Sequence, residues 1–518
     1  MREYVVVGAG PAGLQVGYLL HRAGRDVTII EAGNAAGTFF RTFPRHRTLI
    51  SNNKKHTGWT DPELNMRMDW NSLLTDDEDL LFTRYTDEFF PPADTMVRYL
   101  SDFAERTGLP IRYGTRISRI ERPERGGPFV LTDQRGEATR ARAVIMATGF
   151  TEPYLPDIPG LELAERYCDV SVDAAEFTDK RVLIIGKGNS AFETADNLIA
   201  NAAVIHVVGH HSVRLAWRTH FVGHLRAVNN NLLDLYQLKS QHAILDGTVR
   251  EIARDGDGYR VTVAFARADE VTKDIAYDRV IACTGFRWDA SIFAPGCRPA
   301  LTINDRFPSL TPAFESATVP DVYFAGTITQ SLDFKKSTSG FIHGFRYNAR
   351  ALHHILQTRY HGEAWPHRRL TVDADAITEA LLARANRSSA LWQQFGFLGD
   401  VVTVDGTARY YEEVPTVYMR QSGVDDAGEW FGLTLEYGPD HDRIDPFDIE
   451  VGRITQDDAG RALESRYLHP VVRHVRGGEV VGEHHVAENL ENEWTSPTVH
   501  IGPLREFIAA ALAPVPAR

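Results

Sequence analysis

The chain has 518 residues, with 56 Lys and Arg against 69 Asp and Glu and a formal charge of −13. That length exceeds an ordinary domain several-fold, so more than one folding unit is expected. The acidic balance speaks against nucleic acid or an anionic membrane as a partner. The cysteines Cys168, Cys283 and Cys297 form no CxxC pair, leaving neither a dithiol redox motif nor a cysteine-rich metal site. No apolar run approaches the roughly 20 residues of a membrane span. Met1 leads almost directly into YVVVGAG without a charged leader and apolar stretch, which predicts a cytoplasmic protein.

Residues 4 to 31 read strand, glycine turn, helix, strand. Gly8-Ala9-Gly10-Pro11-Ala12-Gly13 fits GxGxxG between a strand and a helix. Its glycines permit a tight turn, approach of a pyrophosphate and close helix packing, while the helix N-terminus favours phosphate charge. Glu31 ends the next strand, 18 residues past Gly13, where a carboxylate accepts from ribose hydroxyls. The alternative is a glycine-rich turn without a ligand.

Residues 53 to 92 have weak periodicity and read as a loop-rich insertion. A helix over 94–107, strands over 111–120 and 129–132, and a strand over 143–149 ending in Ala147-Thr148-Gly149 follow. Gly149 is expected close to the nucleotide of the first site. A proline-containing link over 150–159 leads to a second strand, turn and helix starting at Arg181. Here Gly186-Lys187-Gly188-Asn189-Ser190-Ala191 carries alanine in place of the third glycine, a tolerated replacement. The strand 204–209 ends without an acid and is followed by His210, His211 and Arg214. A 2′-phosphate pairs with Arg and is repelled by a carboxylate, so NADPH is favoured over NADH. Arg214 is the first choice of ligand, then Arg218 and His211; the alternative is that they are solvated surface residues.

Cys283-Thr284-Gly285 closes a second strand with a small-Thr-Gly turn, and Cys283 reads as a small buried residue. Strand 321–326, ending at Gly326, resembles the late flavin strand of two-dinucleotide flavoproteins, in which an acid that binds the ribityl chain often stands where this chain has Thr327. The helix over 341–357, entered through Gly340 and Phe341, has amides able to face a flavin pyrimidine; a packed helix with tolerated glycines is the alternative. The fold class expected is α/β, with two Rossmann-like dinucleotide-binding domains and a C-terminal α+β region. Its boundaries are an FAD domain over 1–165 and 291–364, an inserted NADPH domain over 166–290, and a C-terminal region over 365–518. Two dinucleotide sites in one chain imply bound FAD and diffusible NADPH.

From Ala32 to Thr60 no acid occurs, while Arg41, Arg45, Arg47, Lys54 and Lys55 do. This cationic segment is open to an anionic substrate, to nucleotide phosphates or to solvent. His484, His485 and Glu488 look superficially like metal ligands, but neighbours on a strand point oppositely, and no metal is expected.

The paired glycine motifs, Gly188-Asn189-Ser190-Ala191 with Glu193, and Ala147-Thr148-Gly149 resemble those of the class B flavoprotein monooxygenases, which use FAD and NADPH. Across nearly the whole chain, including Asp169–Asp173, Arg214–Trp217, Leu225–Asn230, Gly340–Tyr347 and Leu468-His469-Pro470, the sequence is similar to the family of the endoplasmic-reticulum flavoprotein associated with degradation and its bacterial N-oxygenase relatives. It departs in having neither a secretion signal nor a retention tail at Pro514–Arg518, and in lacking a histidine over Pro159–Asp169, where FxGxxxH would fall. Asn52 matches the asparagine of the family's NxxK-like segment.

The resemblance implies a monooxygenase in which reduced FAD forms a C4a-hydroperoxyflavin that gives one oxygen to a nucleophile. Asn52 would then donate to NADP+ or the peroxide, and Lys54 or Lys55 would balance negative charge. The expected substrates are O2 and the primary amine of a small amino acid, acidic ones such as aspartate included. Open alternatives are a reductase or oxidase without oxygen insertion, a Baeyer-Villiger or heteroatom oxygenase, and a flavin-stabilised interaction module. Homo-oligomerisation stays open.

Overall fold

The computed structural model describes residues 1–150, 152–423, 428–441, 443–445 and 448–513; the tail Pro514–Arg518 lies outside them. The chain divides into two compact units. The first comprises Met1–Asn53, Thr75–Ser309 and Ser316–Ser331, the second Lys54–Leu74, Leu310–Glu315 and Leu332–Arg518.

The first unit holds two seven-stranded sheets and two short two-stranded ones. In one, strand Arg2–Val7 lies in parallel between Val27–Ile30 and Ala138–Met146. Val322–Phe324 joins the latter strand in parallel, and Phe129–Asp133 and Ile117–Glu121 extend the sheet antiparallel. The central strands are buried on both faces, and Val5, Val6, Ile29, Val144 and Ile145 are fully enclosed. This is why they read as continuous apolar runs rather than alternating ones. Each such side chain contributes about 1.5–3 kcal/mol by leaving water. Helix Pro11–Arg22 starts with proline in its first turn, where the missing N–H costs nothing. Its Tyr18 meets Phe103 of helix Ala93–Arg106 edge-on at 5.6 Å.

The expected strand over 111–120 is two strands. Ile111–Arg112 pairs in parallel with Val27–Ile30, whereas Ile117–Glu121 pairs antiparallel with Phe129–Asp133. Between them Gly114 takes a φ of 60° and donates to the Gly33 carbonyl, a turn that only glycine adopts without cost.

The second sheet of this unit runs Val271–Tyr277, Gly258–Phe265, Ala243–Asp255, Val204–Gly209, Arg181–Ile185, Arg279–Ala282, Glu165–Arg166. Its inner members are parallel and its first two strands form antiparallel hairpins. Helix Asn189–Leu198 follows Arg181–Ile185 and buries Ala191, Phe192, Ala195 and Leu198 against it. Both sheets thus show the doubly wound pattern that places ligands at the carboxyl ends of parallel strands.

The second unit is built on a six-stranded antiparallel sheet, Leu398–Val404 and Ala408–Pro415 among its strands. Helices Ala374–Arg387 and Gly502–Leu512 share one apolar core with it. Helix Ile342–His361, longer than the periodicity predicts, ends at Gly362 with φ 69°, a left-handed stop. Arg350 binds Glu413 through two nitrogens, at 2.8 and 2.5 Å, tying this helix to the sheet. Among the described residues no helix is long and apolar enough to cross a membrane.

Candidate functional site

The first glycine motif is a tight strand-to-helix turn. Gly8 has a φ of 107°, and a Cβ on Gly13 would stand 1.9 Å from the Gly8 carbonyl oxygen. These two glycines let strand and helix touch. Gly10 is different: a Cβ there would meet nothing within 4 Å, so its backbone faces outward at the mouth of the helix, beside Pro11 and Ala12. Gly326, φ 86°, approaches the Ala12 side chain so closely that its own Cβ would lie 2.6 Å away. Gly149 has φ 63° and faces the Thr327 hydroxyl. Glu31 has both carboxylate oxygens in use, accepting from the Ala9 and Gly33 amides at 2.7 Å each. It fixes the glycine loop as well as offering lone pairs to a ribose, since a carboxylate accepts about four bonds. The turn, the outward Gly10 and the first-turn amides fit a dinucleotide pyrophosphate.

The second motif repeats the turn with a difference. Gly186 has φ 120°, and a Cβ on it would lie 2.2 Å from the Cys283 carbonyl oxygen. Gly188, however, faces the Gly223 carbonyl at a spacing that leaves 2.5 Å to an added Cβ. The same carbonyl accepts from the Asn189 amide at 2.7 Å. Asn189 Oδ1 accepts from Asn229 Nδ2 at 2.9 Å and from the Arg226 amide at 3.3 Å. The loop 220–229 therefore caps the helix whose N-terminus would receive the second pyrophosphate. Ser190 lies in the first turn of that helix, and Arg214 is half-buried, its carbonyl accepting from the Leu225 amide at 3.0 Å.

The segment between Gly37 and Asn53 connects the two cradles. Arg226 Nη2 donates to Asn52 Oδ1 at 3.2 Å. Arg45 reaches the Val170 carbonyl at 2.6 Å, and its amide donates to the Tyr167 hydroxyl at 3.3 Å. Tyr167 in turn donates to Glu193 on the inner face of the second helix. Burial raises the Glu193 carboxyl from 4.5 to about 7 and, with Glu193 alongside, pushes the Tyr167 phenol up. Arg47 pairs with Asp94 at 2.6 Å. Arg45 and Arg47 are thus engaged by the protein itself, while Arg41, Lys54 and Lys55 are exposed.

Lys54, Lys55, Gly340 and Phe341 belong to the second unit, Phe341 being the N-cap residue of helix Ile342–His361. Their expected part in flavin chemistry stands as a proposal. His484, His485 and Glu488 do not converge: His485 binds His469 at 2.8 Å and Glu483 at 2.9 Å, while Glu488 accepts from the Tyr467 amide at 2.6 Å.

Residues 5–326 match the pyridine nucleotide-disulphide oxidoreductase family. The chain belongs to that family. The mouse (Mus musculus) protein named FAD-dependent oxidoreductase domain-containing protein 2 is 38% identical over 99% of this chain and 84% of its own length. Among solved structures, a flavin-containing monooxygenase from Stenotrophomonas maltophilia superposes with a TM-score of 0.54 at 21% identity, covering 70% of this chain and 99% of that one. The Kutzneria sp. 744 ornithine N-hydroxylase gives 0.51 at 15% identity, over 68% and 98%. These two share the fold. The protein is a two-dinucleotide flavoprotein oxidoreductase whose cofactors are FAD and NADPH.

The cysteines Cys168, Cys283 and Cys297 are free, and burial raises the thiol pKa of Cys283; a buried, protonated thiol is a poor nucleophile. Sequence reasoning passed over Arg226, Tyr167 and the tethering role of Glu31. Glu193, singled out with the second glycine motif, lies one helical turn past Asn189 and is buried with Phe192 and Ala195.

Proposed function

We propose that the protein is an NADPH-consuming, FAD-dependent monooxygenase that hydroxylates the primary amine of a small amino acid, acidic ones such as aspartate included. The observation that carries this reading is the Arg226–Asn52 hydrogen bond, which ties the loop beyond the first cradle to the loop that caps the second. Support for the amine comes from the whole-chain resemblance, over segments such as Asp169–Asp173, Arg214–Trp217 and Gly340–Tyr347, to a family whose bacterial relatives include N-oxygenases. The fold is shared with a chain named ornithine N-hydroxylase.

When bound, FAD accepts hydride from NADPH and activates O2, one atom of which passes to a nucleophile. The chain's own residues do the rest. Gly8, Gly10, Pro11, Ala12 and Gly13 cradle the first pyrophosphate, Glu31 holds the ribose, and Gly149 and Gly326 give close backbone approach. Gly186, Gly188, Asn189 and Ser190 receive the second nucleotide once the Gly223 carbonyl yields. With its Oδ1 committed to Arg226, the Asn52 amide is fixed in orientation, a donor that needs no reorganisation. In the first unit the exposed Arg41 supplies positive charge for a substrate carboxylate.

The test is product balance with a panel of amino acids under labelled O2. Hydroxylamine carrying one labelled oxygen, formed in step with NADPH use and increasing with pH as the amine loses its proton, is the expected result. Hydrogen peroxide equal to NADPH consumed, with no oxygenated amine, would instead establish a reductase or oxidase.

A further inference from the structure

Beside the second cradle, a cationic cluster lies at the end of the strands where a nucleotide's adenosine ribose belongs. Asp246 in strand Ala243–Asp255 stands level with Gly209, the last residue of Val204–Gly209. Its carboxylate holds two cations: Lys187 Nζ on Oδ1, and Arg267 Nε on Oδ2 at 2.6 Å. Lys187 Nζ also donates to the His211 carbonyl at 2.9 Å, and Arg267 Nη2 donates to Ser212 Oγ at 3.2 Å. The Ala266 amide donates to the Asp246 carbonyl at 2.9 Å, so the backbone before Arg267 is pinned to the same strand.

Two cations against one carboxylate leave a net positive charge. The Arg267 side chain is 73% accessible and can still receive a partner. In doubly wound nucleotide domains, the loop after the second parallel strand meets the adenosine ribose, and an acid or an arginine there decides between a 2′-hydroxyl and a 2′-phosphate. Here that loop is His210 to Arg214, with no acid. The carboxylate level with the end of that strand, Asp246, is paired with two cations. Ser212 and the Arg267 guanidinium, already joined by a hydrogen bond, are the neutral and charged donors that a phosphate monoester takes.

We propose that Arg267, brought in by the hairpin between Gly258–Phe265 and Val271–Tyr277, binds the 2′-phosphate of NADPH together with Ser212, Lys187 adding to the positive field. The inference rests on the second cradle being the NADPH site. It displaces Arg214, the residue that sequence proximity favours, from the leading role.

The test is calorimetric titration of the FAD-loaded full chain with 2′,5′-ADP and with AMP, in the wild type, Arg267→Gln, Arg267→Lys and Arg214→Gln. Arg267→Gln should weaken 2′,5′-ADP about tenfold to a hundredfold, the range for a charge-assisted pair, and leave AMP unchanged. Arg267→Lys should fall between, keeping charge but losing the planar fork. In turnover, KM for NADPH should rise while that for NADH holds; flavin content and melting temperature should stay put because the side chain is exposed. A wild-type preference for 2′,5′-ADP that survives Arg267→Gln, or that Arg214→Gln alone abolishes, would overturn the inference and spare the cofactor assignment. Equal wild-type affinity for AMP and 2′,5′-ADP would overturn both.

Discussion

Arg226 and Asn52, 174 residues apart in sequence, are joined at 3.2 Å by a bond from guanidinium Nη2 to amide Oδ1. Burial lowers the Arg226 pKa, yet a guanidinium stays protonated at any working pH. The bond is therefore a permanent charge-assisted link between the two nucleotide halves of the first unit. Replacing Asn52 with Ala removes an acceptor from a half-buried cation, a change worth about 1 kcal/mol. We expect Asn52→Ala to retain FAD and hydride transfer but to release a larger share of NADPH equivalents as hydrogen peroxide. Peroxide yield per NADPH measures it, and an unchanged yield would remove Asn52 from the oxygen step.

Gly10 and Gly13 separate packing from binding. A methyl on Gly13 collides with the Gly8 carbonyl, whereas one on Gly10 touches no protein atom within 4 Å. Gly13→Ala should destabilise the fold by about 1–3 kcal/mol, as overpacking does. Gly10→Ala should melt like the wild type without flavin and bind FAD weakly. Thermal melts with and without added FAD distinguish the two; equal flavin affinity in Gly10→Ala would move the pyrophosphate elsewhere.

Glu193 gives a pH signature. Its carboxyl is raised from 4.5 to about 7 in the folded protein by burial, so between those values the native state holds a proton that the unfolded chain has released. Stability conferred by this group is full below 4.5 and is lost as pH rises toward 7, reaching a deficit on the order of 3 kcal/mol. Glu193→Gln keeps an acceptor for Tyr167 and cannot ionise. It should match the wild type in acid and exceed it in stability above pH 7. Denaturant midpoints across pH test this, and parallel profiles for the two proteins would contradict it.

The Gly223 carbonyl occupies the Asn189 amide at 2.7 Å, a donor that a pyrophosphate at the second cradle also needs. NADP+ should therefore displace the loop 220–226 and change hydrogen exchange there before it changes exchange in the sheet strand Arg181–Ile185. Exchange in this loop that is indifferent to saturating NADP+ would mean that the nucleotide enters by another face.

The glycine turns and their flanking strands were legible because local sterics dictate them: a Gly at φ 107° or 120°, a buried strand before it and a helix after it leave a short-range record. The single sheet strand expected over 111–120 failed at Gly114, where a positive φ redirects the chain between parallel and antiparallel neighbours. What the sequence hid were pairings over long separations. Arg226 with Asn52, Arg267 with Ser212 and Tyr167 with Glu193 each need the tertiary fold to meet, and no periodicity marks them. The cationic run from Arg41 to Lys55 was read by composition alone. The fold spends Arg45 on the Val170 carbonyl and Arg47 on Asp94, so charge counting overstated what is available to a ligand.

The most direct test of two coupled nucleotide sites is anaerobic mixing of the FAD-loaded protein with NADPH while flavin absorbance is followed. Rapid bleaching of the oxidised flavin band by NADPH, slower with NADH, is the predicted result. A flavin that stays oxidised in excess NADPH, or a purified chain that takes up no FAD, would contradict it.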